Sequence, residues 1–177
     1  NDLISEKQYN GDTFYYLSEK PDEPVKVIES PNGDKYLYEG EKDQERLVNV
    51  FLKEGVTYFL EGKKDREHII KVVFNSGEIR FFQGEKDQES LIRIELNGEI
   101  RFFQGKKDQE RLIRIELNGK ISFFQGEKDQ EHLIRREFNN GTTHYFQGKK
   151  DQEYPVRIRT GNNYKDFYYQ GEEGKEH

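Results

Sequence analysis

The sequence predicts an all-β protein: an antiparallel meander of stacked β-hairpin repeats with a period of 21–23 residues, forming one elongated or curled sheet. Three observations lead there. The segment FFQGEKDQESLIRIELNGEIR, Phe81 to Arg101, is followed at once by FFQGKKDQERLIRIELNGKIS. The glycines after the aromatic pair (Gly40, Gly62, Gly84, Gly105, Gly126, Gly148 and Gly171) recur at near-constant spacing, the mark of a repeat architecture. Within a unit, Ile92, Ile94 and Leu96 alternate with Arg93 and Glu95, the period of a strand.

Taken from the N-terminus, residues 1–30 hold a degraded copy of the repeat and are expected to cap the array, with Pro21 and Pro24 blunting an edge. Residues 31–177 hold about six to seven units. GEEGKEH, Gly171 to His177, matches GEKDQEH at Gly126 to His132, so the array is expected to be cut at the start of a further repeat. Each unit reads as a loop (EKDQE), an alternating strand (SLIRIEL), a turn (NG) and a return strand (EIRFFQG). Asn97-Gly98 and Asn118-Gly119 tolerate the positive φ that hairpin turns need. Units of 22 residues are expected to carry their extra residue near this turn, where insertions are absorbed most easily.

Register follows from which face is apolar. A two-residue loop at Asn97-Gly98 would pair Ile94 with Arg101. An odd loop with Gly98 as a left-handed bulge residue pairs Ile94 with Ile100 and Ile92 with Phe102, and makes one face coherently apolar. The second register is therefore expected. It places Phe59, Phe81, Phe102, Phe123, Tyr145 and Tyr168 with the aliphatic columns. Arg93, Glu95, Glu99 and Arg101 then share the opposite face, joined by Tyr38, Phe82, Phe103, Phe124, Phe146 and Tyr169.

Composition sets the limits on function. The 177 residues are 36% charged, against a usual ~25%. Such charge suits a disordered chain, but 14% aromatics and strict periodicity indicate order with little two-sided core. Net charge is −6 with both signs interleaved, so the basic stripe of a nucleic-acid binder is missing. No apolar run approaches the ~18 residues of a transmembrane segment. With no Cys, disulfides and thiolate chemistry are excluded. A reducing compartment is compatible with that, and the lack of a signal-peptide pattern in this chain favours the cytoplasm.

PNGDKYLYEGE, Pro31 to Glu41, resembles the signature of MORN repeats, whose hairpin units carry an N-G-x-x-Y-x-G segment every 20-odd residues. The resemblance covers about residues 31–177 and implies a stack of hairpins. It departs where MORN units have H-G-x-G, since KDQERLV or KDQESLI stands there instead. NGEIRFFQG is less closely similar to the hairpins of cell-wall-binding repeats, which depend on Trp, and this chain has none.

Few residues invite catalytic or metal chemistry. His68 and His132 share a loop-end column with Arg46, Ser90 and Arg111, which suits exposed side chains rather than ligands. Asp43, Asp65, Asp87, Asp108, Asp129 and Asp151 each precede a Glu by two residues. Lys before each Asp, and the missing Gly-rich Asp pattern, weigh against Ca²⁺. Turn capping and lateral charge pairing between loops are expected there instead. Identical solvated carboxylates also lack the unequal tuning that hydrolysis needs.

The expected function is thus non-enzymatic, without metal or cofactor: a structural or scaffold module within a larger protein, making protein–protein contacts or self-associating. The alternative is a binding module for glycan or membrane headgroups. Its candidate residues are Phe82, Phe103, Phe124 and Phe146 with Arg93, Arg114 and Arg135.

Overall fold

A computed structural model describes residues 5–16, 24–161 and 166–168. Pro21, Tyr169, Gly171 and His177, and with them the expected start of a further repeat, lie outside these residues. The all-β antiparallel meander is as expected, and the chain divides into two compact units, Asn1–Ser90 and Leu91–His177.

The first unit holds β1 (Ser5–Tyr9), β2 (Asp12–Tyr16), β3 (Val27–Glu29), β4 (Lys35–Glu39), β5 (Arg46–Phe51), β6 (Thr57–Glu61), β7 (His68–Val73) and β8 (Ile79–Gln83). Each pairs antiparallel with the next. The second is built the same way from β9 (Ser90–Leu96), β10 (Glu99–Gln104), β11 (Arg111–Leu117), β12 (Lys120–Gln125), β13 (His132–Glu137), β14 (Thr143–Gln147), β15 (Tyr154–Arg159) and β16 (Asp166–Tyr168). Within each unit a strand touches only its sequence neighbours, so each unit is a single layer with two open faces. Burial is correspondingly thin. Among the described residues only Val48, Val72 and Leu133 are buried, and no side chain is fully enclosed.

Turn length separates the 21-residue from the 22-residue repeats. In the 22-residue unit around β7 and β8, Phe74 and Glu78 close a three-residue loop, and Gly77 (φ +86°) donates its N–H to the Phe74 carbonyl. The turns ending at Gly55 and Gly141 repeat this bond. In the 21-residue units the loop is Asn97-Gly98 (φ +50° and +79°) or Asn118-Gly119 (φ +50° and +73°), with Leu96 facing Glu99 and Leu117 facing Lys120. Two successive positive φ values make a type I′ turn, whose twist matches that of the strands it joins.

This corrects the expected register. Ile94 faces Arg101, not Ile100, and Arg93 faces Phe102. The odd, bulged loop belongs to the 22-residue units. The outgoing strand carries a second irregularity. Pairing shifts between the two aromatic positions, at Leu37/Tyr38, Phe59/Leu60, Phe102/Phe103, Phe123/Phe124 and Tyr145/Phe146. Val48, Ile70, Ile113, Ile134 and Val156 are left without a direct partner, as in a β-bulge.

The return strand ends on a glycine that no other residue can replace. Gly40, Gly62, Gly84, Gly105, Gly126 and Gly148 have φ between +114° and +143°. A Cβ on any of them would lie 2.3–2.7 Å from the carbonyl oxygen four residues on, which belongs to the connecting loop. Gly98 differs, because a Cβ there meets nothing within 4 Å. Gly98→Ala should therefore cost only its left-handed backbone, about 1–2 kcal/mol. Gly105→Ala, 2.4 Å from the Gln109 carbonyl, should exceed about 3 kcal/mol. Urea unfolding midpoints of the two variants distinguish these outcomes.

Candidate functional site

Register decides which side chains meet, because directly paired residues share a face and successive residues alternate. In the second unit one face carries the row Arg93, Phe102, Arg114, Phe123, Arg135, Tyr145, Arg157, each paired with the next. The Arg114 guanidinium carbon lies 5.1 Å from the Phe102 ring centre and 5.9 Å from that of Phe123. Arg135 sits 4.0 Å over Phe123, and Arg157 lies 5.6 Å from Tyr145. The first unit does the same with Lys71, 4.9 Å from Phe59 and 5.9 Å from Phe81. Cation and ring alternate along the row, so each interior cation is flanked by two rings.

Beside this row runs Glu95, Ile100, Glu116, Ile121, Glu137. Its glutamates pair with arginines two residues back on the same strand: Arg93 with Glu95, Arg114 with Glu116, Arg135 with Glu137. Glu99 and Arg101 pair likewise, but on the opposite face. The four charges expected together are thus split two and two, and they pair along strands rather than diagonally.

The expected binding set is divided in the same way. Arg93, Arg114 and Arg135 share their face with the first aromatic of each pair. Phe103, Phe124 and Phe146 follow that aromatic by one residue and so turn to the other face. Phe124 lies there beside Ile115 and Leu117, and Phe82 follows Phe81 by the same alternation. Neither face is coherently apolar. The second carries Arg101, Ser122, Arg136 and His144 among its aliphatics.

The acidic loops have a role that recurrence signalled, though its acceptors and donors were not legible. Each loop is a turn whose first carbonyl accepts the N–H three residues on, from Gln88 to Glu85 or Gln109 to Lys106, for example. Its third residue, Asp43 through Asp151, sits at φ +60° to +64°. The Glu that follows reaches one repeat back and accepts a backbone N–H. Glu67 takes that of Leu47 and Glu89 that of Ile69 in the first unit. Glu110, Glu131 and Glu153 take those of Leu91, Leu112 and Leu133 in the second. The Lys before the Asp donates to the preceding loop: Lys64 to the Asp43 carbonyl, Lys86 to Asp65, Lys128 to Asp108 and Lys150 to Asp129. Loops are linked laterally, as expected, but through backbone groups instead of charge pairs.

Among the described residues no three His, Cys, Asp or Glu side chains are grouped to hold a metal ion, and no helix is long and apolar enough to cross a membrane. Among the described histidines, His68 buries its Nδ1 without a hydrogen-bond partner, and His144 sits among aromatic rings. It packs 4.9 Å from Phe138, and burial, with the charge of Arg136 second, holds its imidazole below the ordinary value. No protein-family model matches the chain, and no curated protein matches it either.

Glu131→Ala should leave the Leu112 N–H without an acceptor, at about 1–3 kcal/mol. Amide hydrogen exchange should quicken at Leu112 while Leu133, held by Glu153, stays protected. Glu131→Gln retains an acceptor oxygen and should behave close to wild type.

Proposed function

We propose that the chain is a non-enzymatic structural repeat module of the MORN-like hairpin kind, a scaffold for protein–protein contact or self-association. One observation carries this reading: the residues that recur are those that hold one repeat against the next. Gly105 accommodates its loop, Glu110 and Lys128 bond one repeat back, and Arg114 lies between two rings. Side chains engaged in this way are held in place by neighbours, which supports a role in shape over one in turnover. A linear array gains stability from neighbour contacts, so repeat number can change without changing the fold. Identical rows recurring every two strands, about 9.6 Å apart, suit multipoint contact with a partner or a second copy.

Removing Lys106–Gly126, one period of 21 residues, tests the reading. The shortened chain should keep its β-sheet circular dichroism and cooperative unfolding. Its association with itself or a partner, followed by light scattering across concentrations, should persist at reduced strength. A chain that is monomeric throughout, binds no protein, and loses its fold on that deletion would overturn the proposal.

A further inference from the structure

The array breaks its own pattern at one place in the second unit. Val50, Val72, Ile94, Ile115 and Ile158 form aliphatic columns in their two units, yet the corresponding residue of β13 is Arg136. The facing column holds a large side chain in the other repeats, Tyr36, Tyr58, Arg80, Arg101 and His144, and Ser122 in β12. Serine in place of a large side chain removes bulk and opens a groove of about 330 Å³. Ile115, Leu117 and Phe124 form its apolar floor, and Asn118, Lys120, Ser122 and Arg136 its polar rim. That volume falls within the ~300–1,000 Å³ of small-molecule clefts.

Its electrostatics are one-sided. Arg136 donates Nε–H to the Ser122 hydroxyl at 3.1 Å, and its guanidinium carbon lies 5.7 Å from the Phe146 ring centre. One of five guanidinium N–H donors is thereby used, and the arm is fixed by two contacts. Lys120 Nζ lies 5.9 Å from the Phe138 ring centre. Among the described residues neither cation has a carboxylate partner, and no carboxylate lines the groove. Glu99, on this face of β10, is engaged by Arg101. On the opposite face Arg93, Arg114 and Arg135 each hold a glutamate two residues on, an arrangement that Arg136 and Lys120 do not share.

We propose that this groove binds a small organic monoanion, a carboxylate on an aromatic or aliphatic body, with Arg136 and Lys120 taking the carboxylate and Ile115, Leu117 and Phe124 covering the body. Arginine suits the head group because its planar fork can meet both carboxylate oxygens. An apolar body suits the floor, which offers a sugar few hydrogen-bonding partners. The site lies wholly between β11 and β13 and does not depend on the scaffold reading.

Naphthoate, and neutral naphthalenemethanol of the same shape, are suitable probes by calorimetry and by chemical-shift perturbation at Ile115 and Phe124. Naphthoate should bind the full chain, and the alcohol about tenfold more weakly or less. Arg136→Ile and Ser122→Arg each restore the residue type of neighbouring repeats, so both should fold, as circular dichroism will verify. The first should weaken naphthoate about tenfold or more, and the second should abolish binding by filling the groove. No naphthoate binding at millimolar concentration, equal binding of the alcohol, or unchanged affinity in either folded variant would overturn the assignment.

Discussion

Lateral order in this fold depends on a close approach of backbone to backbone. Each connecting loop folds back against the glycine that opens it, at a distance no side chain at that position allows. The turn that follows places Asp108 or its equivalent at a left-handed φ, which Asp tolerates better than most residues. From there Glu110 and Lys128 reach back to the Leu91 N–H and the Asp108 carbonyl, respectively. With a Cβ at the hinge the loop must move, and both bonds move with it. Glycine, left-handed aspartate and the two long side chains thus form one mechanical unit, which accounts for their recurring together.

A single layer has to be stabilised differently from a packed core. With three buried residues among those described, enclosure of apolar surface contributes little. The rows supply small increments instead. Each exposed cation over a ring adds about 0.5–1 kcal/mol, and each Glu-to-amide bond a similar or somewhat larger amount. The exposed Arg–Glu pairs add about 0–1 kcal/mol. Arginine also lays its aliphatic stem on the sheet, so it serves as cover as well as charge. None of these terms is large, but all recur with every repeat and act between neighbours only. Stability is then a property of adjacency.

That same feature explains what the sequence revealed and what it hid. Period, strands and turns were legible because alternation and Asn-Gly act locally. The extra residue of the 22-residue units was legible too, at the turn where Gly77 replaces the Asn-Gly pair. Register was not. The expected pairing of Ile94 with Ile100 assumed that one face must be dry, a rule that holds where a second layer exists to cover it. Here both faces are wet, and nothing opposes setting Ile94 against Arg101. The turn's own geometry then decides the register. That error carried Phe103 and Phe124 to the wrong face and divided the expected binding set. The bulge opposite each aromatic pair leaves no mark in composition, since Ile113 reads like any other strand residue.

In an array whose positions are dictated by neighbours, departures carry more information than recurrences. Arg136 departs from its aliphatic column, and Ser122 is the smallest residue of a facing column that also holds Tyr36, Tyr58, Arg80, Arg101 and His144. Ser122, Arg136 and His144 lie side by side on three consecutive strands. Arg136 bonds Ser122 and faces His144 across the strands, and after burial its charge helps to hold that imidazole below the ordinary value. An arginine set alone into an aliphatic column would be an uncompensated cation among apolar neighbours. Paired with a small hydroxyl in front and an aromatic behind, it is anchored, and the space that Arg80 and Arg101 fill elsewhere is left open. The serine and the arginine fit one another, and the recess they border lies on a face that no second layer covers.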